Sequence, residues 1–248
     1  MLRDHLVLDA PGLPHAGTLL RFGHAGRPVL AFPTELGRAW EWEDNGLVDA
    51  VAPLIDDGRV TLYCVDAFDA FTWSDRGVEA EERARRYRSY EAWLVHHVVP
   101  HVHHHTPGDL VATGASLGAY HALQLGFTRA DIAARVLAMS GSYDPAQWHG
   151  WGSHGEHMHW TNPMRYLDSF SASHLDWLRQ RLFVQLVVGQ GDWETWPTGA
   201  LPSTRAMASR LAAHGIPHEL DVWGHDVAHH WHWWRLQLAY HLPRVLSR

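Results

Sequence analysis

Short apolar runs recur along the chain: VLAF at Val29–Phe32, VTLYCV at Val60–Val65, LVATGA at Leu110–Ala115, RVLAM at Arg135–Met139 and LFVQLVV at Leu182–Val188. Runs this short, apolar without alternation, are strands covered on both faces. Helical patterns separate them, over Leu47–Ile55, about Glu79–His104, Ala119–Phe127, Ser203–His214 and Trp231–Leu246. In the longest, Tyr87, Tyr90, Leu94, Val98 and Val102 fall at i, i+3, i+7, i+11 and i+15, one apolar face. Pro100 inside it predicts a kink, because proline lacks the N–H and crowds the preceding turn. Strands alternating with helices call for an α/β fold with a mostly parallel central sheet and helices on both faces. His5–Ala10 and Thr18–Phe22, parted by Pro11-Gly12-Leu13-Pro14, open the chain as a hairpin, and His218–Val222 is the last strand.

The chain has 248 residues, a length that fits one domain over 1–248, with no repeat or linker. The stretch 147–173, rich in Trp, His, Gly and Ser, breaks the alternation and is expected to be an excursion that lids or lines a pocket. Twenty basic residues, all arginine, stand against 27 acidic ones, a net charge of −7. That balance disfavours nucleic acid as a partner. A lone Cys64 excludes an intramolecular disulfide and a cysteine-rich zinc site. No segment reaches the roughly 18 apolar residues of a membrane span, and MLRDHLVLDAPG lacks an export pattern. A cytoplasmic protein without membrane association is expected; oligomeric state is not legible.

Gly114-Ala115-Ser116-Leu117-Gly118 matches G-x-S-x-G directly between a strand and a helix. That context suits a nucleophile on a tight strand-to-helix turn, whose neighbours must be small for the backbone to bend. The turn would lift the Ser116 hydroxyl above the sheet and aim the Leu117 N–H at an oxyanion. In this topology an acid and then a histidine follow the serine. Gly189-Gln190-Gly191-Asp192-Trp193-Glu194 follows the Leu182–Val188 strand, where a triad acid would sit. Asp192 is preferred, with Glu194 the near alternative and Asp144 the distant one. His225, His229 and His230 are candidate bases that spacing alone does not separate.

Several separated motifs then add up to a resemblance. Phe32-Pro33-Thr34-Glu35-Leu36-Gly37, Trp40-Glu41-Trp42-Glu43-Asp44, Cys64-Val65-Asp66 with Trp73, Ser140–Asp144, and His229-His230-Trp231-His232-Trp233-Trp234 span nearly the whole chain. Together they resemble the putative esterase family of α/β-hydrolases, which includes enterochelin esterases, feruloyl esterases, S-formylglutathione hydrolases and mycolyltransferases. The similarity is greatest to short bacterial esterases. The resemblance implies an α/β-hydrolase fold and a triad of Ser116, Asp192 and His229. It also implies an oxyanion hole from the N–H groups of Leu117 and Glu35. Thr34, Trp193 and Trp231 are expected to meet the substrate, a small-molecule ester, with no cofactor. Two departures stand out: His230 replaces the usual Asp after the catalytic histidine, and Glu35 stands where relatives carry Ser or Gly. A carboxylate at Glu35, if turned inward, would repel developing negative charge.

Other features have plainer roles. His97 and His101, spaced i,i+4 near His103-His104-His105, lack an accompanying carboxylate motif, so a solvated helix end is expected and no metal site. Trp233 and Trp234 are expected in packing, while Trp148, Trp151, Trp160, Trp193 and Trp196 are candidates for a pocket wall. Arg83, Arg85, Arg86 and Arg88 form a solvated basic face. The leading reading is a serine carboxylic-ester hydrolase. Acyl transfer to an alcohol and a non-catalytic binding protein on the same fold are the alternatives.

Overall fold

A computed structural model describes residues 1–148 and 154–248; Trp151 and part of the 147–173 excursion lie outside the described residues. Strands β1 (Arg3–Leu8), β2 (Gly17–Phe22), β3 (Arg27–Phe32), β4 (Val60–Val65), β5 (Val111–Ala115), β6 (Arg135–Met139), β7 (Phe183–Val188) and β8 (His218–Val222) form one eight-stranded sheet. Its order is β1-β2-β4-β3-β5-β6-β7-β8. β1 and β2 pair antiparallel, as does β2 with β4, and every other pairing is parallel. The architecture is the α/β fold expected from the apolar runs.

The longer helices are α1 (Ala80–Trp93), α2 (Val99–His105), α3 (Leu117–Thr128), α4 (Ala172–Arg181), α5 (Ala200–Ala213) and α6 (Trp231–Leu246). Successive strand residues face opposite sides. Leu30, Phe32, Tyr63 and Val65 join α1, α2, α3 and α5 in one core cluster. Val29, Ala31, Leu62 and Cys64 join α6 and the short helices of residues 41–56 in the other. Both faces are therefore dry, which is why β3 and β4 read as unbroken apolar runs. No helix among the described residues is long and apolar enough to cross a membrane.

Two helices differ from expectation. The helix expected over Glu79–His104 is divided: α1 ends at Trp93, a π-helical turn spans Leu94–Val98, and α2 begins with Pro100 in its first turn. The wide turn absorbs the missing donor of Pro100, while Tyr87, Tyr90, Leu94, Val98 and Val102 still share one buried face. Leu47–Ile55 is likewise two short helices, Leu47–Ala50 and Ala52–Asp56, parted at Val51 just before Pro53.

α1 and α3 are joined by a polar tie beneath the excursion. Gln124 Nε2 donates to Glu91 Oε1 at 2.9 Å, and the Tyr166 hydroxyl donates to Gln124 Oε1 at 2.7 Å. Burial pushes the Glu91 carboxyl up to about 7, from an ordinary 4.5, despite Arg88 nearby. Between those values the folded chain holds a proton that the unfolded chain has released. The stability this group contributes is complete below about 4.5 and is lost as pH rises through about 7. Glu91→Gln is therefore expected to gain several degrees in melting midpoint over the parent chain as pH is raised from mildly acidic to mildly basic. Thermal denaturation followed by circular dichroism checks this, and parallel pH profiles would contradict it.

Candidate active site

β5 runs into α3 through Ser116, whose backbone sits at φ 56° and ψ −122°. Such a conformation costs a non-glycine residue about 1–3 kcal/mol and persists only where its surroundings enforce it. The enforcement is steric. A Cβ on Gly114 would lie 2.3 Å from the Gly118 backbone, and one on Gly118 would lie 2.5 Å from the Pro33 carbonyl oxygen. The first turn of α3 is thus pressed against the end of β3, and the Ser116 N–H donates to the Met139 carbonyl of β6.

His229 reaches Ser116 from the loop between β8 and α6. Its Nε2 lies 3.0 Å from Ser116 Oγ, and its Nδ1 lies 3.2 Å from Glu194 Oε2. These partners fit an imidazole with its proton on Nδ1, donating to Glu194 and accepting from the serine hydroxyl. Glu194 is fully buried. Its Oε1 accepts from Ser140 Oγ at 2.6 Å and from the Gly189 N–H at 3.3 Å. Trp234 Nε1 in turn donates to Ser140 Oγ at 3.1 Å, and the indole packs edge-on to the His229 ring at 4.9 Å. Every oxygen of the buried carboxyl group therefore has a donor, as burial of such a group demands.

The loop after β3 lies beside this line. The Gly37 N–H donates to the Thr34 carbonyl, closing a turn in which Leu36 takes φ 63°. Glu35, Ser116, Leu117, Ser140, Ser142, Thr198 and His229 line a cavity of about 120 Å³. Ser142 and Thr198 also border a neighbouring cavity of about 450 Å³, which Gln147, Met164 and Trp196 help to line. A serine hydroxyl hydrogen-bonded to an imidazole, with a helix N-terminus beside it, is an arrangement suited to nucleophilic attack.

A family model described as "Esterase: Putative esterase" matches residues 37–245. The chain belongs to the putative esterase family. Among solved structures, this esterase-family chain is similar to a ferulic acid esterase, with TM-score 0.75, 16% identity, and coverage of 99% of this chain and 97% of that one. It is also similar to FphF, a fluorophosphonate-binding serine hydrolase of Staphylococcus aureus solved with substrate bound, with TM-score 0.74, 12% identity and coverage of 100% and 99%. An S-formylglutathione hydrolase from Agrobacterium tumefaciens gives TM-score 0.71, 14% identity and coverage of 99% and 95%. No curated protein sequence matches. At these identities the likenesses show the fold, which is that of the α/β-hydrolases.

Within this esterase-family site, Ser116 and His229 meet as the sequence suggests, but the acid beside His229 is Glu194 and not Asp192. Asp192 is exposed, and it meets His229 only through its backbone carbonyl, which accepts the His229 N–H at 2.9 Å. Trp193, at φ 68°, reverses the chain between them and turns Glu194 inward beneath Ser140. Asp144 is occupied elsewhere, accepting from Asn162 Nδ2 and the Ala146 N–H. His225 is exposed, and His230 Nδ1 caps α6 by accepting the His232 N–H. Leu117 and Glu35 border the cavity. The Glu35 carboxylate accepts from Ser74 Oγ at 2.6 Å.

The expected substrate contacts are placed differently. Thr34 donates from both its N–H and its hydroxyl to Glu41. Neither Trp193 nor Trp231 borders the two cavities; Trp231 stacks edge-on against Trp234, and the exposed Trp196 helps to line the larger cavity. The basic face at Arg85, Arg86 and Arg88 is paired with Glu82, Asp75 and Glu91. Ser140 and Trp234 went unread as site residues. Ser140 stands at the end of β6 and opens one of the motifs that carry the resemblance, but neither signal gives it a role, and Trp234 reads as a packing residue, which it also is.

Gly118→Ala is expected to lower stability by about 2 kcal/mol, because its Cβ meets backbone rather than a yielding side chain. For a chain this long that is a fall of roughly 4–8 °C in melting midpoint. Calorimetry checks it, and an unchanged midpoint would contradict the close approach.

Proposed function

We propose that the chain is a serine carboxylic-ester hydrolase in which Ser116, His229 and Glu194 form the triad. The observation that carries this reading is the unbroken line from Ser116 Oγ through both ring nitrogens of His229 to Glu194. Ser116 Oγ attacks the ester carbonyl carbon while His229 Nε2 takes its proton. Glu194 holds the ring orientation and stabilises the imidazolium that forms. The N–H groups of Leu117 and Glu35 receive the oxyanion, with the helix N-terminus adding its dipole. His229 then protonates the departing alcohol, and water repeats the sequence on the acyl-enzyme. The reaction needs no cofactor, and the substrate is a small-molecule ester held across the two cavities beside Ser116.

Two observations favour this reading over a non-catalytic protein. The Glu35 carboxylate is held by the Ser74 hydroxyl at an exposed position, where solvent weakens its repulsion of an oxyanion. His230, the other departure from the family pattern, is engaged in capping α6. Family membership and the likeness to a fluorophosphonate-binding hydrolase point the same way.

Hydrolysis of p-nitrophenyl acetate tests the proposal. Ser116→Ala is expected to lower kcat by about 10⁴-fold or more, and a parent rate no better than this variant would overturn the esterase reading. Glu194→Ala is expected to cost about 10²–10⁴-fold, while Asp192→Asn stays within about threefold. The reverse order in that pair would return the acid role to Asp192.

A further inference from the structure

Asp69 lies in the segment after β4, is 1% exposed, and belongs to neither the triad nor the cavity wall. Its Oδ2 accepts the Leu36 N–H at 3.0 Å. Its Oδ1 lies 3.3 Å from Nε2 of His121, a buried residue five positions past Ser116 on α3. His121 Nδ1 is 3.1 Å from the Tyr87 hydroxyl of α1, and the two rings stack at 5.5 Å. Burial holds the Tyr87 hydroxyl far above its ordinary pKa, so it keeps its proton. Tyr87 then donates to Nδ1, and the Nε2 edge of the ring faces Asp69 Oδ1 as a close buried contact without hydrogen-bond alignment.

The turn over residues 34–37 is gripped from both ends. Glu41 accepts the Thr34 N–H at 2.6 Å, and Asp69 accepts the Leu36 N–H. Between these anchors stands Glu35, and Leu36 is held at φ 63°, a conformation a leucine does not keep without support. The helix that carries Leu117 and the turn that carries Glu35 are separate pieces of chain. Asp69, bonded to the turn through the Leu36 N–H, and His121, carried by the helix, are packed against each other between them.

We propose that Asp69 and His121 are positioning residues that set the spacing of the two oxyanion donors, acting through the turn and not by touching substrate. This rests on the esterase reading above. Oxyanion donors help only when they meet the transition-state oxygen at hydrogen-bond length, and a displacement near 1 Å can cost about 10²-fold. Loosening the strut therefore lowers kcat and leaves ground-state binding nearly intact.

The test compares Asp69→Asn, His121→Leu and His121→Gln by p-nitrophenyl acetate kinetics, with rates expressed per Ser116 titrated to completion by a fluorophosphonate. Affinity for a trifluoromethyl ketone, which forms an oxyanion on the serine, is measured alongside. In Asp69→Asn and His121→Leu, kcat per titrated site is expected to fall about 10- to 100-fold with KM within about threefold. Ketone affinity should fall in step with kcat/KM. In His121→Gln the amide nitrogen replaces Nε2 toward Asp69, and kcat should stay within about threefold of the parent. Unchanged kcat per titrated site overturns the proposal, including when fewer sites titrate, because that is a loss of folded protein alone. A loss confined to KM also overturns it. A parent chain with no turnover above Ser116→Ala removes the esterase reading and this inference together, whereas an active parent with insensitive variants removes only this one.

Discussion

The site depends on a carboxyl group placed where water cannot reach it. Glu194 is wholly buried, and burial of such a group is tolerable only when its oxygens are matched by donors. Ser140, Gly189 and His229 supply them from three different segments of the chain. Ser140 is itself satisfied by the indole of Trp234, so the C-terminal helix is tied into the same set. The imidazole is oriented toward Ser116 because its other nitrogen has a fixed place to go.

Backbone strain is gathered at the same place. Leu36, Ser116, Ser140 and Trp193 are the non-glycine residues with positive φ among the described residues. One lies in the turn that carries Glu35 and one is the candidate nucleophile; the third donates to Glu194 and the last turns the chain that delivers it. Each costs about 1–3 kcal/mol, which the surrounding sheet and its two dry cores must offset. The rigid β5–α3 junction does so for Ser116, where Gly114 and Gly118 let backbones approach more closely than any Cβ allows. Leu36 is held by Asp69, and Ser140 by its N–H bond to Val187 and its hydroxyl bond to Glu194.

Much of this was legible in the sequence, for identifiable reasons. Strands buried on both faces leave unbroken apolar runs, so β3 to β7 were visible, and the G-x-S-x-G pattern marked Ser116 because the tight turn restricts its neighbours. His229 needed the family resemblance, since four histidines crowd within eight positions of the tail. Sequence alone does not separate Asp192 from Glu194, which lie two residues apart, and only the reversal at Trp193 decides which one turns inward toward His229. That reversal uses a tryptophan at φ 68°, where sequence rules expect glycine or asparagine. Asp69 and His121 were invisible as site residues because their partners lie on remote segments, and no short motif records such a contact. Pro100 announced a distortion but not its form, a π-helical turn.

A crystal structure of the chain after reaction with a fluorophosphonate would show the proposed machinery in one view. Phosphorus is expected on Ser116 Oγ, with the phosphoryl oxygen between the N–H groups of Leu117 and Glu35 and His229 Nδ1 still bound to Glu194. Phosphorus on another residue, or His229 paired with Asp192 in the adduct, would contradict it.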